Sequence, residues 1–220
     1  MHEAHFADRR EAGLALAEAL DAYSNTADVV VLALPRGGVP VGYEVARHLD
    51  VPLDVLVVRK IGTPGHQELA MGAVASGGAL VRNEQVITSI GVNEDVFNEV
   101  ADQKHREVRD RERLFRGDRR PLALKKKVVI VIDDGVATGS TITAAIQALR
   151  QLEPARVITA VPVAPPNTVT ALSEIADEIV ALKTPTPFMA VGHWYHDFPQ
   201  VPDKEVIRLL NQAANREKGS

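Results

Sequence analysis

Two adjacent carboxylates, Asp133 and Asp134, close the apolar run Val128-Val129-Ile130-Val131-Ile132 and are followed by Gly135-Val136-Ala137-Thr138-Gly139-Ser140-Thr141. A β-branched run that is apolar at consecutive positions reads as a strand buried on both faces. The small and hydroxyl-bearing residues after it let a loop fold its backbone N–H groups around an anion. A helix starting near Ser140 adds unpaired N–H groups and a partial positive charge. The hydroxyls of Ser140 and Thr141 can reach the same oxygens, so Ala137, Thr138, Gly139, Ser140 and Thr141 are expected to cradle a monophosphate. Two acids beside that phosphate are unfavourable unless they serve another group. Vicinal sugar hydroxyls, which donate hydrogen bonds, and a hydrated Mg²⁺ are the natural candidates. A cradle beside a diol reader describes a ribose 5-phosphate site. An exposed Asp-Asp turn with a Ser/Thr helix cap would explain the hydroxyls, but not why both acids abut a buried strand.

Other segments carry chemistry of their own. Pro35-Arg36-Gly37-Gly38-Val39-Pro40-Val41-Gly42 follows the apolar run Val29–Leu34 and again sets glycine-rich backbone and one cation ahead of a helix. An ordinary β–loop–α turn uses glycine in the same way. Arg59 and Lys60 follow the run Leu53–Val58, at the carboxyl end of a strand, where open α/β sheets bind their ligands. Gly62 to Met71 has loop composition and contains His66 and Glu68. Near the C-terminus, Lys183-Thr184-Pro185-Thr186-Pro187-Phe188 and Val191 to Phe198 hold the single Trp and two of the five Phe residues of a chain with 4% aromatics. His193 and His196 lie there too, without a third ligand in the sequence pattern that would make a metal site.

The run from Val128 through Asp133-Asp134 to Ala137-Thr138-Gly139-Ser140-Thr141 resembles the phosphoribosyl pyrophosphate (PRPP) signature of type I phosphoribosyltransferases, and the resemblance extends over about residues 29–201. It implies an open, mainly parallel α/β sheet with a small hood, and Mg²⁺-PRPP as the substrate. Asp133 and Asp134 would hold the ribose hydroxyls, and Mg²⁺ through water. The loop Arg36-Gly37-Gly38 would contact pyrophosphate, with a cis peptide at Pro35–Arg36. Lys60 and Arg59 become the candidate catalytic residues: fixed cations near a departing pyrophosphate stabilise the transition state more than the ground state. Gly62 to Met71 would be a mobile lid, and Lys183, Trp194 and Tyr195 would line a hood over a base at about residues 183–201. Ala137 departs from the 6-oxopurine branch, which carries an Asp at this place, so the acceptor does not follow. A regulator that senses PRPP without turnover is the alternative reading, and a phosphoesterase or dinucleotide-binding enzyme ranks last.

These residues need elements to position them. Strands are expected at Val29–Leu34, Leu53–Val58, 128–132, 157–163 and 178–182. Helices are expected within the first twenty residues and over Val39–Leu49, Ser140–Leu152 and Thr168–Ile175, in the alternation of an open α/β sheet. Residues 62–127 interrupt it with the lid, a Gly-rich hairpin over Met71–Val81 and a charged helix over Asn93–Arg116, expected to be solvated and laced with i,i+4 pairs such as Glu107–Arg111. The 220 residues suit one domain, and no disulfide or thiolate chemistry is open to a chain with 0 Cys. A formal net charge of -4 argues against nucleic acid as the main partner. The N-terminal charges leave no signal-peptide apolar region, and the longest apolar runs are too short to span a bilayer. A cytoplasmic protein is expected, with PRPP and a small nitrogen-containing acceptor as partners; a homodimer is compatible with the reading.

Overall fold

The computed structural model describes residues 5–63 and 65–217, apart from the side chains of His66, Gln67, Glu68 and Glu217. Its centre is a five-stranded parallel sheet ordered β2-β1-β6-β7-β8, comprising β1 (Val29–Ala33), β2 (Leu53–Val55), β6 (Val128–Ile132), β7 (Arg156–Val163) and β8 (Glu178–Lys183). Alternating residues of these strands feed separate cores. Val29, Val31, Ile130 and Ile132 pack on one face, and Val30, Leu32, Val129 and Val131 on the other. Both faces being covered is why the strands are apolar at every position rather than at every second one. The first face lies under α1 (Arg9–Ala19), α2 (Gly38–Leu49) and α7 (Asp203–Glu217), and the second under α5 (Ser140–Arg150) and α6 (Pro166–Ser173).

A second, antiparallel sheet of β3 (Val58–Thr63), β4 (His66–Ala75) and β5 (Leu80–Arg82) departs from the edge of the first. It corrects two expectations. Leu53–Val58 is not one strand: after Val55 the chain leaves the parallel sheet, and β3 pairs with β4 from Val58↔Ala75 onward. Residues 62–71 are not a separate loop either, because Gly62, Thr63 and His66 onward belong to the β3–β4 ladder. Pro64 and the side chains of His66 and Glu68 lie outside the described residues. The expected hairpin over Met71–Val81 is present as β4–β5, turning through Ser76–Gly78 with Gly77 and Gly78 at positive φ.

The antiparallel sheet is held between two helices. Ile61, Met71 and Val74 share a core with Phe97, Ala101 and Val108 of α4 (Glu94–Arg116), whereas Val58, Ala73 and Ala75 share one with Ile142, Ala145 and Ile146 of α5. The charged helix is therefore only partly solvated. Its expected Glu107–Arg111 pair gives way to others: Glu107 accepts from Lys104 Nζ at 2.7 Å, and Arg111 bonds Asp203 of α7 at 2.9 Å. Near the C-terminus of α4, Arg116 donates to Asp54 Oδ2 at 3.0 Å and Glu112 Oε1 at 3.2 Å in a buried cluster that ties α4 to β2. A short helix, α3 (Glu84–Ile90), precedes α4 and is capped by Asn83, whose side chain accepts from Val86 N. Neither α3 nor α7 is among the sequence-derived elements.

Candidate active site

The site forms at the carboxyl ends of β1 and β6, adjacent strands in register from Val29↔Val128 to Ala33↔Ile132. The register delivers Pro35-Arg36-Gly37-Gly38 beside Asp133-Asp134. The two loops touch so closely that glycine is obligatory in the first. A Cβ on Gly37 would stand 2.0 Å from Asp134 Oδ2, and one on Gly38 would stand 2.6 Å from Ile132 O and 2.9 Å from Asp133 Cα. Gly37 has φ -61 and ψ -35, a conformation open to any residue, so space and not backbone freedom selects glycine here. The Pro35–Arg36 peptide is cis. The Arg36 guanidinium faces Asp203 Oδ1 at 3.7 Å, which links this loop to the start of α7.

The loop after the carboxylates turns twice at positive φ, through Gly135 and Gly139, before entering α5. Gly139 is the N-cap residue in the left-handed region, and no side chain caps the helix. The first N–H groups of an 11-residue helix are thus left open at the loop, with their partial positive charge. Thr138 Oγ1 and Ser140 Oγ share a 3.3 Å hydrogen bond, and Thr168 Oγ1 braces the loop by donating to Ala137 O at 2.7 Å. Ala137, Thr138, Ser140 and Thr141 lie at the surface of the opening, with Ala137, Thr138, Ser140 and Thr141 all set around the same helix terminus. Backbone donors, hydroxyls and a helix terminus around one opening can hold a phosphate.

Strand alternation separates the two cations expected to act together. Lys60 points to the α5 side of β3, where its Nζ donates to Ser140 Oγ at 2.7 Å. Arg59 points to the α4 side, where its Nε lies 3.9 Å from Glu107 Oε2 and its Nη1 bonds Val58 O. Lys60 therefore joins the loop that leads into α5, and Arg59 does not. A cleft of about 580 Å³ lined by Lys60, Arg82, Asn83, Gln85, Ser140 and Gln147 opens beside the junction.

The carboxylates are unequal. Asp133 Oδ1 accepts the Asp134 N–H at 2.9 Å. Burial, and then the neighbouring Asp134 charge, push the Asp133 carboxyl well above the ordinary carboxylate range. Asp134 is held by Arg9, whose Nε donates to Oδ2 at 2.8 Å with both side chains largely buried. Arg9 is not among the sequence-derived site residues, although the sequence carries a signal for it. It occupies the first turn of α1, behind the Asp8 N-cap, where the helix dipole disfavours a cation.

The segment after β8, the expected hood, packs onto this acid pair. His196 N bonds Phe6 O, Phe6 N bonds Trp194 O, and Phe6, Tyr195 and Phe198 form an aromatic cluster. Tyr195 is buried at 6% exposure, and its hydroxyl donates to Asp134 O at 2.6 Å. Its hydroxyl titration is raised by burial and then by the Asp134 charge. Tyr195 is thus committed to the interior rather than presented to a base. Lys183 Nζ sits 4.8 Å from the Phe6 ring centre, within the same cluster. Trp194 lines a cavity of about 460 Å³ with His5, Pro187, Met189 and His193, which Tyr195 also borders, and its Nε1 is buried without a hydrogen-bond partner among the described residues.

Comparison with known proteins assigns this arrangement to a family. Residues 8–187 match the model of the phosphoribosyl transferase domain, so the chain belongs to that family. Over 208 residues it is 43% identical to "Putative phosphoribosyl transferase Rv0571c" of Mycobacterium tuberculosis strain ATCC 25618 / H37Rv, covering 94% of this chain and 47% of that protein. The counterpart "Putative phosphoribosyl transferase MT0597" of strain CDC 1551 / Oshkosh gives the same figures. The chain thus spans about half the length of the curated relatives it matches. The crystal structure of TT1426 from Thermus thermophilus is 43% identical, with a TM-score of 0.85, covering 94% of this chain and 98% of that one.

Proposed function

We propose that the chain is a phosphoribosyltransferase that binds Mg²⁺-PRPP and transfers ribose 5-phosphate to a nitrogen nucleophile, with release of pyrophosphate. One observation carries this reading: the uncapped N-terminus of α5, joined by Lys60, lies directly after a carboxylate pair packed against a glycine loop. The family membership supports it independently. The 5-phosphate takes the Ala137–Thr141 loop, and the ribose hydroxyls donate to Asp133 and Asp134. The diphosphate lies along the Arg36-Gly37-Gly38 backbone, within reach of Lys60.

Two adjacent carboxylates, one of them pushed toward protonation by burial and by its neighbour, suit a hard divalent cation. Asp133 and Asp134 would hold Mg²⁺ through water, and the ion would supply neutralising charge to the diphosphate. The C1–O bond to pyrophosphate breaks as the acceptor nitrogen attacks C1, the bonding pair leaving with pyrophosphate. The acceptor gives up its proton to solvent or a nearby base. The protein's own part is to position the ribose, to meet developing charge with Lys60 and fixed N–H dipoles, and to exclude water under the hood. Trp194, whose ring lines an open cavity beside Pro187, Met189 and His193, is the hood side chain proposed to meet an acceptor.

Pyrophosphate release from Mg²⁺-PRPP, measured across purines, pyrimidines and small amines, tests this reading. Release that depends on one acceptor class supports it. Tight PRPP binding with no acceptor-dependent release would replace it with the PRPP-sensing alternative.

A further inference from the structure

We infer that Arg9 is a positioning residue of the ribose site: it fixes the Asp134 carboxylate from behind and couples the hood to the acid pair. The inference rests on the phosphoribosyltransferase reading of Asp133 and Asp134. Arg9 makes three contacts, each to a different part of the site. Its Nε donates to Asp134 Oδ2 at 2.8 Å, its Nη1 donates to Pro199 O at 2.8 Å, and its guanidinium carbon lies 3.7 Å from the centre of the Phe198 ring. The first contact holds the carboxylate, the second holds the C-terminal strap and the third seats the cation on an aromatic face. Phe198 in turn stacks on Tyr195 at 4.7 Å, and Tyr195 holds the Asp134 carbonyl. Asp134 is therefore gripped through both its side chain and its main chain by elements from opposite ends of the sequence.

The geometry leaves the carboxylate little freedom. Oδ2 lies between Arg9 and the Gly37 backbone, where not even a methyl group fits. A carboxylate pinned at one oxygen presents the other in a fixed direction, so a sugar hydroxyl meets an acceptor that need not be ordered on binding. Arg9 also offsets the charge that Asp134 brings close to Asp133 and to a bound phosphate. A cation in the first helical turn opposes the α1 dipole, which makes a purely local role for Arg9 unfavourable.

The test compares two probes on the 220-residue chain: ribose 5-phosphate, which has both the phosphate and the diol, and inorganic phosphate, which has only the first. Affinities are measured calorimetrically for the wild type, Arg9→Lys, Arg9→Gln and Arg9→Ala, with thermal melts in parallel. The inference expects the wild type to prefer ribose 5-phosphate. It expects Arg9→Gln and Arg9→Ala to lose roughly tenfold or more of that affinity, the scale of a charge-assisted hydrogen bond. Phosphate affinity should stay within about twofold, since the α5 terminus is untouched. Arg9→Lys, which keeps the charge but not the fork, should recover part of the loss. A general structural defect would weaken both probes together, and that result would overturn the inference. So would variants that retain the wild-type preference for ribose 5-phosphate. A wild-type protein that does not distinguish the probes would overturn the ribose-site reading itself, and the Arg9 role with it. Should Arg9→Ala not fold, Arg9→Lys and Arg9→Gln decide between these outcomes.

Discussion

Replacing Gly37 with alanine probes the contact on which the two halves of the site depend. The new Cβ would lie 2.0 Å from Asp134 Oδ2 and 2.5 Å from its Cγ, whereas real Cβ atoms essentially never approach within 3.0 Å, so the gap must widen by at least about 1 Å. The backbone at Gly37 is already helical, so no conformational strain enters. Either the glycine loop retreats from the acid pair or the Asp134 carboxylate moves off Arg9, to which it is bonded at 2.8 Å. Overpacking costs about 1–3 kcal/mol, and loss of a hydrogen bond to a charged group about 1.5–3 kcal/mol. As these are alternative outcomes, the expected cost is about 1–3 kcal/mol. At roughly 2–4 °C per kcal/mol for a protein of this size, the melting temperature should fall by about 2–12 °C. Mg²⁺-PRPP affinity should fall at least tenfold, because about 1.4 kcal/mol of lost preorganisation is already a factor of about ten. Gly91→Ala is the matched control: its φ is +63 with nothing within 4 Å, so it carries strain of about 1–2 kcal/mol and no clash. Calorimetric melting and titration on both variants separate the two effects. Wild-type stability and affinity in Gly37→Ala would refute the argument that close approach of the loops builds the site.

Other substitutions address single contacts. Lys60→Met removes an exposed cation whose one hydrogen bond among the described residues is to Ser140 Oγ at the start of α5. It should weaken phosphate and PRPP binding by roughly tenfold and move the melting temperature by little, as titration calorimetry and melting would check. Tyr195→Phe leaves the Asp134 carbonyl without its 2.6 Å donor and should cost about 1–2 kcal/mol in chemical denaturation, with the acceptor preference unchanged. Asp133 binds its proton more tightly folded than unfolded, where the pKa is about 3.9, so the folded state carries the extra proton above that pH. Stability of the ligand-free protein should therefore fall as pH rises from about 4 to the raised folded value and then level off. Denaturation at a series of pH values should show this slope in the wild type and lose it in Asp133→Asn.

Much of this arrangement is legible in the amino-acid sequence, because the decisive signals are local. The consecutive apolar residues of β1, β6 and β7 require cover on both faces, and the small-residue loop between Ile132 and Ser140 sits where a helix begins. The split of Leu53–Val58 is not local. Leu56 N still bonds Ala33 O in the first sheet, whereas Val57 N bonds the Ser76 side chain beside the second, and an unbroken apolar run does not mark that handover. The same handover fixes which side each side chain takes, and so sends Lys60 to Ser140 at the start of α5 and Arg59 to α4. Helix α7 is legible in principle: Val206, Leu209, Leu210 and Ala213 repeat at i, i+3, i+4 and i+7, and all four are buried.

The residues that complete the site show what pattern reading omits. Aromatic content near the C-terminus suggests a base-stacking surface, yet the chemistry of each ring depends on what its polar atom meets. The Tyr195 hydroxyl finds the Asp134 carbonyl, whereas the Trp194 ring N–H is buried with no hydrogen-bond partner among the described residues, so adjacent aromatics differ in what their polar atoms do. Arg9 follows the same logic across 125 residues of chain. A basic residue in the first turn of a helix is locally unfavourable, and its presence there makes sense only when an acid from elsewhere in the fold meets it. Charged residues placed against their local dipole are therefore a place to look for long-range site contacts. In this chain that criterion leads from the N-terminal helix directly to Asp134, the second carboxylate of the acid pair.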